Sequence, residues 1–159
     1  MALPLGKTAE VEGLGTVQLV EESYGGTTST YQRIMNKTGP KGKENVLYAT
    51  TPGYLIAGIG AMEGGKYVFF PLTTTSAPEF TDLLMLDPTK PFEENIIWRA
   101  ANLKNATFEL KDVDKDGQPE VCINYTFLYE GMPGSFFKYV VYKLKDSKMN
   151  IIDEKGTVH

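Results

Sequence analysis

Apolar residues recur at every second position in short runs along this chain, and glycine, proline, asparagine or threonine breaks each run; this alternation constrains the fold more than any other feature. Phe108 and Leu110 between polar neighbours are one instance, and Val121, Ile123 and Tyr125 are another. Side chains of an extended strand point alternately to opposite faces, so a period of two marks strands with one buried face. Helical periodicity is scarce. The pattern predicts an all-β chain, a single-domain antiparallel meander of about eleven short strands, small and irregular, propeller-like or sandwich-like. The expected strands are 16–22, 29–35, 45–50, 54–60, 66–72, 82–86, 95–100, 107–111, 120–129, 136–145 and 149–153. Around 91–103 a short helix is the alternative, because Pro91 suits a first helical turn and Glu93 and Glu94 would face its positive end.

Two hairpins are expected. Glu63-Gly64-Gly65 offers glycines for the turn between the fourth and fifth strands, and Glu130 to Ser135 joins the strand after Glu120 to the aromatic run at Phe136. No shift of composition divides the chain, so residues 1–159 are taken as one domain.

The chemistry concentrates in Asp112-Val113-Asp114-Lys115-Asp116-Gly117-Gln118-Pro119-Glu120. Carboxylates at alternating offsets before a glycine turn converge when the backbone curls, and they repel one another unless a cation sits among them. Oxygen donors select a hard ion, and Ca²⁺ as a structural cofactor is the expectation. The helical calcium hand needs glutamate at its twelfth position, where this chain has Ile123, and the flanking residues alternate as strands do. A solvated acidic turn is the alternative reading.

The segment DVDKDGQPE resembles the strand–loop–strand calcium motif of FG-GAP and VCBS-type repeats, D-x-D-x-D-G-x-x-D/E, over about twenty residues and in a single copy. The resemblance implies ligation by Asp112, Asp114, Asp116, the backbone carbonyl of Gln118 and Glu120. Similar single loops occur in small exported bacterial β-proteins.

Other chemistry is thin. The one histidine, His159, is the last residue, which removes histidine-dependent nucleophile machinery and multi-histidine metal centres. The lone Cys122 allows no internal disulfide and, within a strand, reads as an inert buried thiol. A formal net charge of −4 with scattered lysines argues against nucleic acid, and no run approaches the roughly 20 apolar residues of a membrane span. Met1 to Lys7 lacks the order of a signal peptide; an exported compartment, periplasmic or extracellular, is favoured if a leader has been removed from this start.

The reading that follows is a non-catalytic, calcium-stabilised binding domain with a protein partner. Tyr129, Met132 and Phe136 around the second hairpin are the candidate partner-binding residues, because apolar groups at a loop tip ask for a cover. The rivals are a saccharide hydrolase using paired carboxylates, such as Glu93 with Glu94 or Asp82 with Asp87, and a structural subunit of a larger assembly.

Overall fold

The computed structural model describes residues 5–23, 30–36, 45–51, 53–74, 80–101, 103–127, 136–146 and 148–158. Within them lie 13 strands: β1 (Thr8–Val11), β2 (Gly15–Ser23), β3 (Thr30–Asn36), β4 (Asn45–Ala49), β5 (Tyr54–Ile56), β6 (Gly60–Met62), β7 (Tyr67–Thr74), β8 (Asp82–Leu86), β9 (Ile96–Ala100), β10 (Lys104–Lys111), β11 (Glu120–Phe127), β12 (Phe136–Lys145) and β13 (Lys148–Val158). They form three antiparallel sheets in chain order: β1-β2-β3-β4, then β5 and β6 side by side on β7 followed by β8 and β9, then β10-β11-β12-β13. The all-β meander read from the alternation is the observed architecture.

The central sheet carries apolar residues on both faces, which explains why β7 and β8 read as nearly continuous apolar runs. Tyr67, Phe69, Leu83 and Met85 turn to one side and pack with Val121, Ile123, Phe108 and Leu110 of the third sheet. Val68, Phe70, Leu72, Leu84 and Leu86 turn to the other side and meet Val17, Ile34 and Leu47 of the first. Phe69 and Phe70 are adjacent in sequence, fully buried, and belong to different cores. At the edge of the second contact the buried Asp82 carboxylate accepts hydrogen bonds from Arg99.

The structure decides one alternative and corrects two expectations. At 91–103 the strand reading holds and the helical alternative does not: among the described residues Pro91 opens a single turn closed by Glu94 N–H to Pro91 C=O at 2.8 Å, and β9 follows at once. Asn95 fixes that exit, donating from Nδ2 to the Leu47 carbonyl of the first sheet at 2.6 Å. The expected strand 54–60 is two strands, because Ile56 pairs with Leu72 and Gly60 with Phe69, leaving three residues of one strand opposite two of the other. The mismatch falls at Pro71, which has no N–H to give, and Ile59 turns to exchange hydrogen bonds with Gly6 at 3.0 and 2.8 Å. Gly58 has φ +157° there, and a Cβ on it would lie 2.7 Å from Leu5 Cβ. Finally, β1 was not anticipated; it is a short edge strand held by β2.

Both expected hairpins pair as antiparallel neighbours, β6 with β7 and β11 with β12. Residues 128–135, the connection of the second, lie outside the described residues.

Candidate metal centre

The β10–β11 pair ends at Lys111 opposite Glu120, so residues 112–119 form the closing loop of that hairpin. Lys115 and Gly117 take positive φ, 59° and 91°, which bends the backbone sharply enough for its own side chains to cap it. Asp112 accepts hydrogen bonds from the Asp116 N–H at 3.1 Å and the Gly117 N–H at 2.9 Å. Asp114 accepts from the Asp116 N–H at 3.3 Å, and Asp116 accepts from the Gln118 N–H at 2.9 Å. These bonds turn the loop's N–H groups onto the carboxylates and hold the three aspartates on one side.

Glu120 completes the group from below. One carboxylate oxygen from each of Asp112, Asp114, Asp116 and Glu120 lies within 4.8 Å of all the others. The aspartates are exposed, whereas Glu120 is 1% exposed. Its Oε2 accepts from the Val113 N–H at 2.7 Å, and its Oε1 is buried with no hydrogen-bond partner. A buried carboxylate oxygen left unsatisfied is costly, and here it belongs to a group whose other members are also negative.

Lys143 is a member of the site that no sequence motif marks. Its ammonium, on β12, bonds both Asp114 Oδ2 and Asp116 Oδ2. The β11–β12 register explains this placement: Val121 pairs with Tyr142, so the next residue of β12 stands beside Glu120. Finding it in the sequence would have required knowing that register.

The electrostatics follow from these contacts. The Lys143 ammonium, aided by the Asp116 N–H, holds the Asp114 carboxyl down to about 2. Lys143 is raised above the ordinary lysine range by the same two aspartates. Glu120 moves the other way: burial raises it, only partly offset by the Val113 N–H, and the neighbouring Asp114 and Asp116 charges raise it further.

Of the expected ligands, the structure therefore brings together Asp112, Asp114, Asp116 and Glu120, a set of oxygen donors that could hold a metal ion. Gln118 lies in the same loop, with its N–H already used by Asp116. Of the candidate partner-binding residues, Tyr129 and Met132 fall outside the described residues, and Phe136 is described as the first residue of β12, its backbone opposite Phe127 and Val158. Cys122 is a free thiol with no exposed surface, hydrogen-bonded to Tyr139, whose phenol is pushed up to about 12 mainly by that bond.

Of the carboxylate pairs considered for hydrolysis, Asp82 and Asp87 are placed otherwise. Asp82 is held by Arg99, and Asp87 accepts from the N–H and hydroxyl of Thr89 at 3.0 and 2.7 Å. Five residues of extended chain set their backbones about 16 Å apart, beyond the roughly 5 to 9.5 Å at which glycosidase carboxyls cooperate.

Among the described residues no helix is long and apolar enough to cross a membrane. Compared with family models, curated proteins and solved structures, the chain matches none of them.

Proposed function

We propose that this protein is a non-catalytic β-domain whose 112–120 loop binds a structural Ca²⁺, and that it serves as a binding module for another protein. The observation that carries the ion is Glu120 Oε1, a buried carboxylate oxygen without a partner in a group of four carboxylates. A divalent cation would satisfy that oxygen and offset the repulsion in one step. Calcium is favoured by size: oxygens at about 2.3 to 2.6 Å from an ion span about 4.6 to 5.2 Å across it, against about 4 Å for magnesium. The oxygens of this set all lie within 4.8 Å of one another, inside the larger shell. With Gln118 supplying its carbonyl, the ligands are those of the FG-GAP-like loop.

The ion's role is reinforcement. It ties the β10–β11 turn to the start of β11, and through β11 to the core residues Val121 and Ile123. Binding to a partner is assigned to the β11–β12 connection around Tyr129, Met132 and Phe136, on the strength of its apolar composition.

Isothermal titration with CaCl₂ and MgCl₂, on protein first stripped with chelator, tests the metal. Calcium binding at one site in the 10⁻⁴ to 10⁻³ M range, weaker for magnesium, is expected. Absence of a calcium isotherm up to 10 mM, on the order of ten times the weakest such Kd, overturns it. Capture of a host partner by the wild type and not by Met132→Asp tests the binding reading.

A further inference from the structure

Lys143 belongs to two places at once. Besides bonding Asp114 and Asp116, it lines an open trough of about 520 Å³ with Lys145, Asp146, Lys148, Asn150 and Ile152. The trough lies at the end of the β12–β13 hairpin, where Lys143 pairs with Asn150 and Lys145 with Lys148. Cross-strand partners and alternate residues share a face, so all three lysines project from the same side of the sheet. Two like charges directly opposite each other destabilise a strand pair, which makes the Lys145–Lys148 juxtaposition a cost with no compensation from each other. Asp146 is the one carboxylate among the lining residues described, and with Lys143 held by Asp114 and Asp116 its single charge faces the ammonium groups of both Lys145 and Lys148.

We propose that this trough is a binding site for a tetrahedral oxyanion, a sulfate or phosphate ester carried on a small ligand, and that calcium in the neighbouring loop switches it on by releasing Lys143. The inference rests on the calcium reading above. In the present arrangement the Lys143 charge is taken up by Asp114 and Asp116. An ion bound to those same carboxylates repels the ammonium and removes the oxygens that hold it. The side chain then turns to the trough it already lines, bringing its third lysine into play. Lys145 and Lys148 supply the remaining charge, the Asn150 amide its second N–H, the first being given to the Lys148 carbonyl at 3.1 Å, and Ile152 an apolar wall for the carbon skeleton of the ligand. Because binding equilibria are reciprocal, the anion tightens calcium by the factor that calcium tightens the anion.

The test is titration of the full chain with two probes, sucrose octasulfate and fructose 1,6-bisphosphate, each in excess calcium and in chelator at about 0.15 M salt, where longer-range charge effects are largely screened. Sucrose is the uncharged control. Calcium should tighten at least one probe about fivefold or more, and that probe should tighten calcium equally. The probe that responds identifies the source of the oxyanion. Lys143→Gln keeps the calcium ligands and should lose most of the gain, leaving less than about twofold from the ion's own field. Lys145→Gln with Lys148→Gln should weaken the probe about tenfold in both conditions while leaving calcium affinity in the absence of probe unchanged. If the wild type binds calcium and neither probe responds to it, or if Lys143→Gln keeps the full gain, this inference falls and the metal reading stands. If calcium itself does not bind, both fall together.

Discussion

Lys143 and Asp114 stand 29 residues apart in the chain and form an ion pair across the mouth of the β10–β11 loop. A lysine thus holds, in the same protein, the charge that a divalent cation would hold. It offers one positive charge where the loop presents four carboxylates, and it leaves Glu120 Oε1 unreached. Three consequences can be measured at the loop.

Removing Asp114 should remove the response to calcium. If the loop has the affinity of extracellular modules, millimolar calcium adds on the order of 1 kcal/mol to stability, which raises the melting temperature of a chain this size by about 2 to 4 °C. Asp114→Ala should melt at the same temperature with calcium or chelator and keep its β-sheet circular dichroism. A persisting calcium-dependent shift would show that Asp114 is not a ligand.

Glu120 offers a change of opposite sign in the two conditions. Glu120→Gln keeps an oxygen for the Val113 N–H, removes a buried charge, and turns an amide N–H toward the aspartates. The metal-free protein should gain about 1 kcal/mol, or about 2 to 4 °C, since an unsatisfied buried group costs about 1 to 3 kcal/mol. The same variant should lose the calcium shift. A loss of stability in chelator would mean that the carboxylate is satisfied where it stands.

Acid should act on the two residues in opposite directions. Asp114 is held down to about 2, so folding favours its ionised form. The stability it contributes is present above the ordinary carboxyl value, about pH 4, and is lost as the pH falls toward about 2. Glu120 is raised, so folding favours its protonated form, and its contribution is present below the ordinary glutamic acid value and fades as pH rises through the folded one. In calcium-free buffer the urea midpoint of Asp114→Asn should rise less between pH 2 and pH 4 than that of the wild type. Glu120→Gln should abolish any decline above that range. Superimposable pH profiles for all three proteins would contradict both assignments.

Away from the loop, Arg99→Ala should leave the Asp82 carboxylate buried at the edge of the core against the first sheet without its partner. Asp82 is 7% exposed, while half of the Arg99 side chain faces water, so the loss should be about 1 to 2 kcal/mol, below that for a fully buried pair. Urea unfolding measures it, and Asp82→Asn in the same background should recover part of the loss. No recovery would show that the arginine acts through packing alone.

Much of the fold was legible because its cause is local. Strands 82–86 and 136–145 have the expected bounds, since each is a run rich in apolar and aromatic residues closed by turn formers, Asp87-Pro88 after the first and Asp146 after the second. β13 runs on past the expected 149–153 because β12 continues beside it, although Asp153, Glu154 and Lys155 carry no apolar pattern; an exposed edge strand needs none. β1 stayed hidden for a similar reason, with Val11 its one buried residue.

By itself, then, the sequence determined the period of two, the continuous apolar runs of the central sheet, and the spacing that gathers Asp112, Asp114, Asp116 and Glu120 around one bend. Those features depend on residues within a few positions of each other, where backbone geometry alone sets which side chains meet. Only the tertiary structure decided that Pro71 splits its partner strand, that Asn95 reaches the first sheet, and that Lys143 faces the loop. Each depends on which strands become neighbours and in what register, and that is fixed by burying two cores against opposite faces of one sheet, a condition that no single segment of the chain expresses.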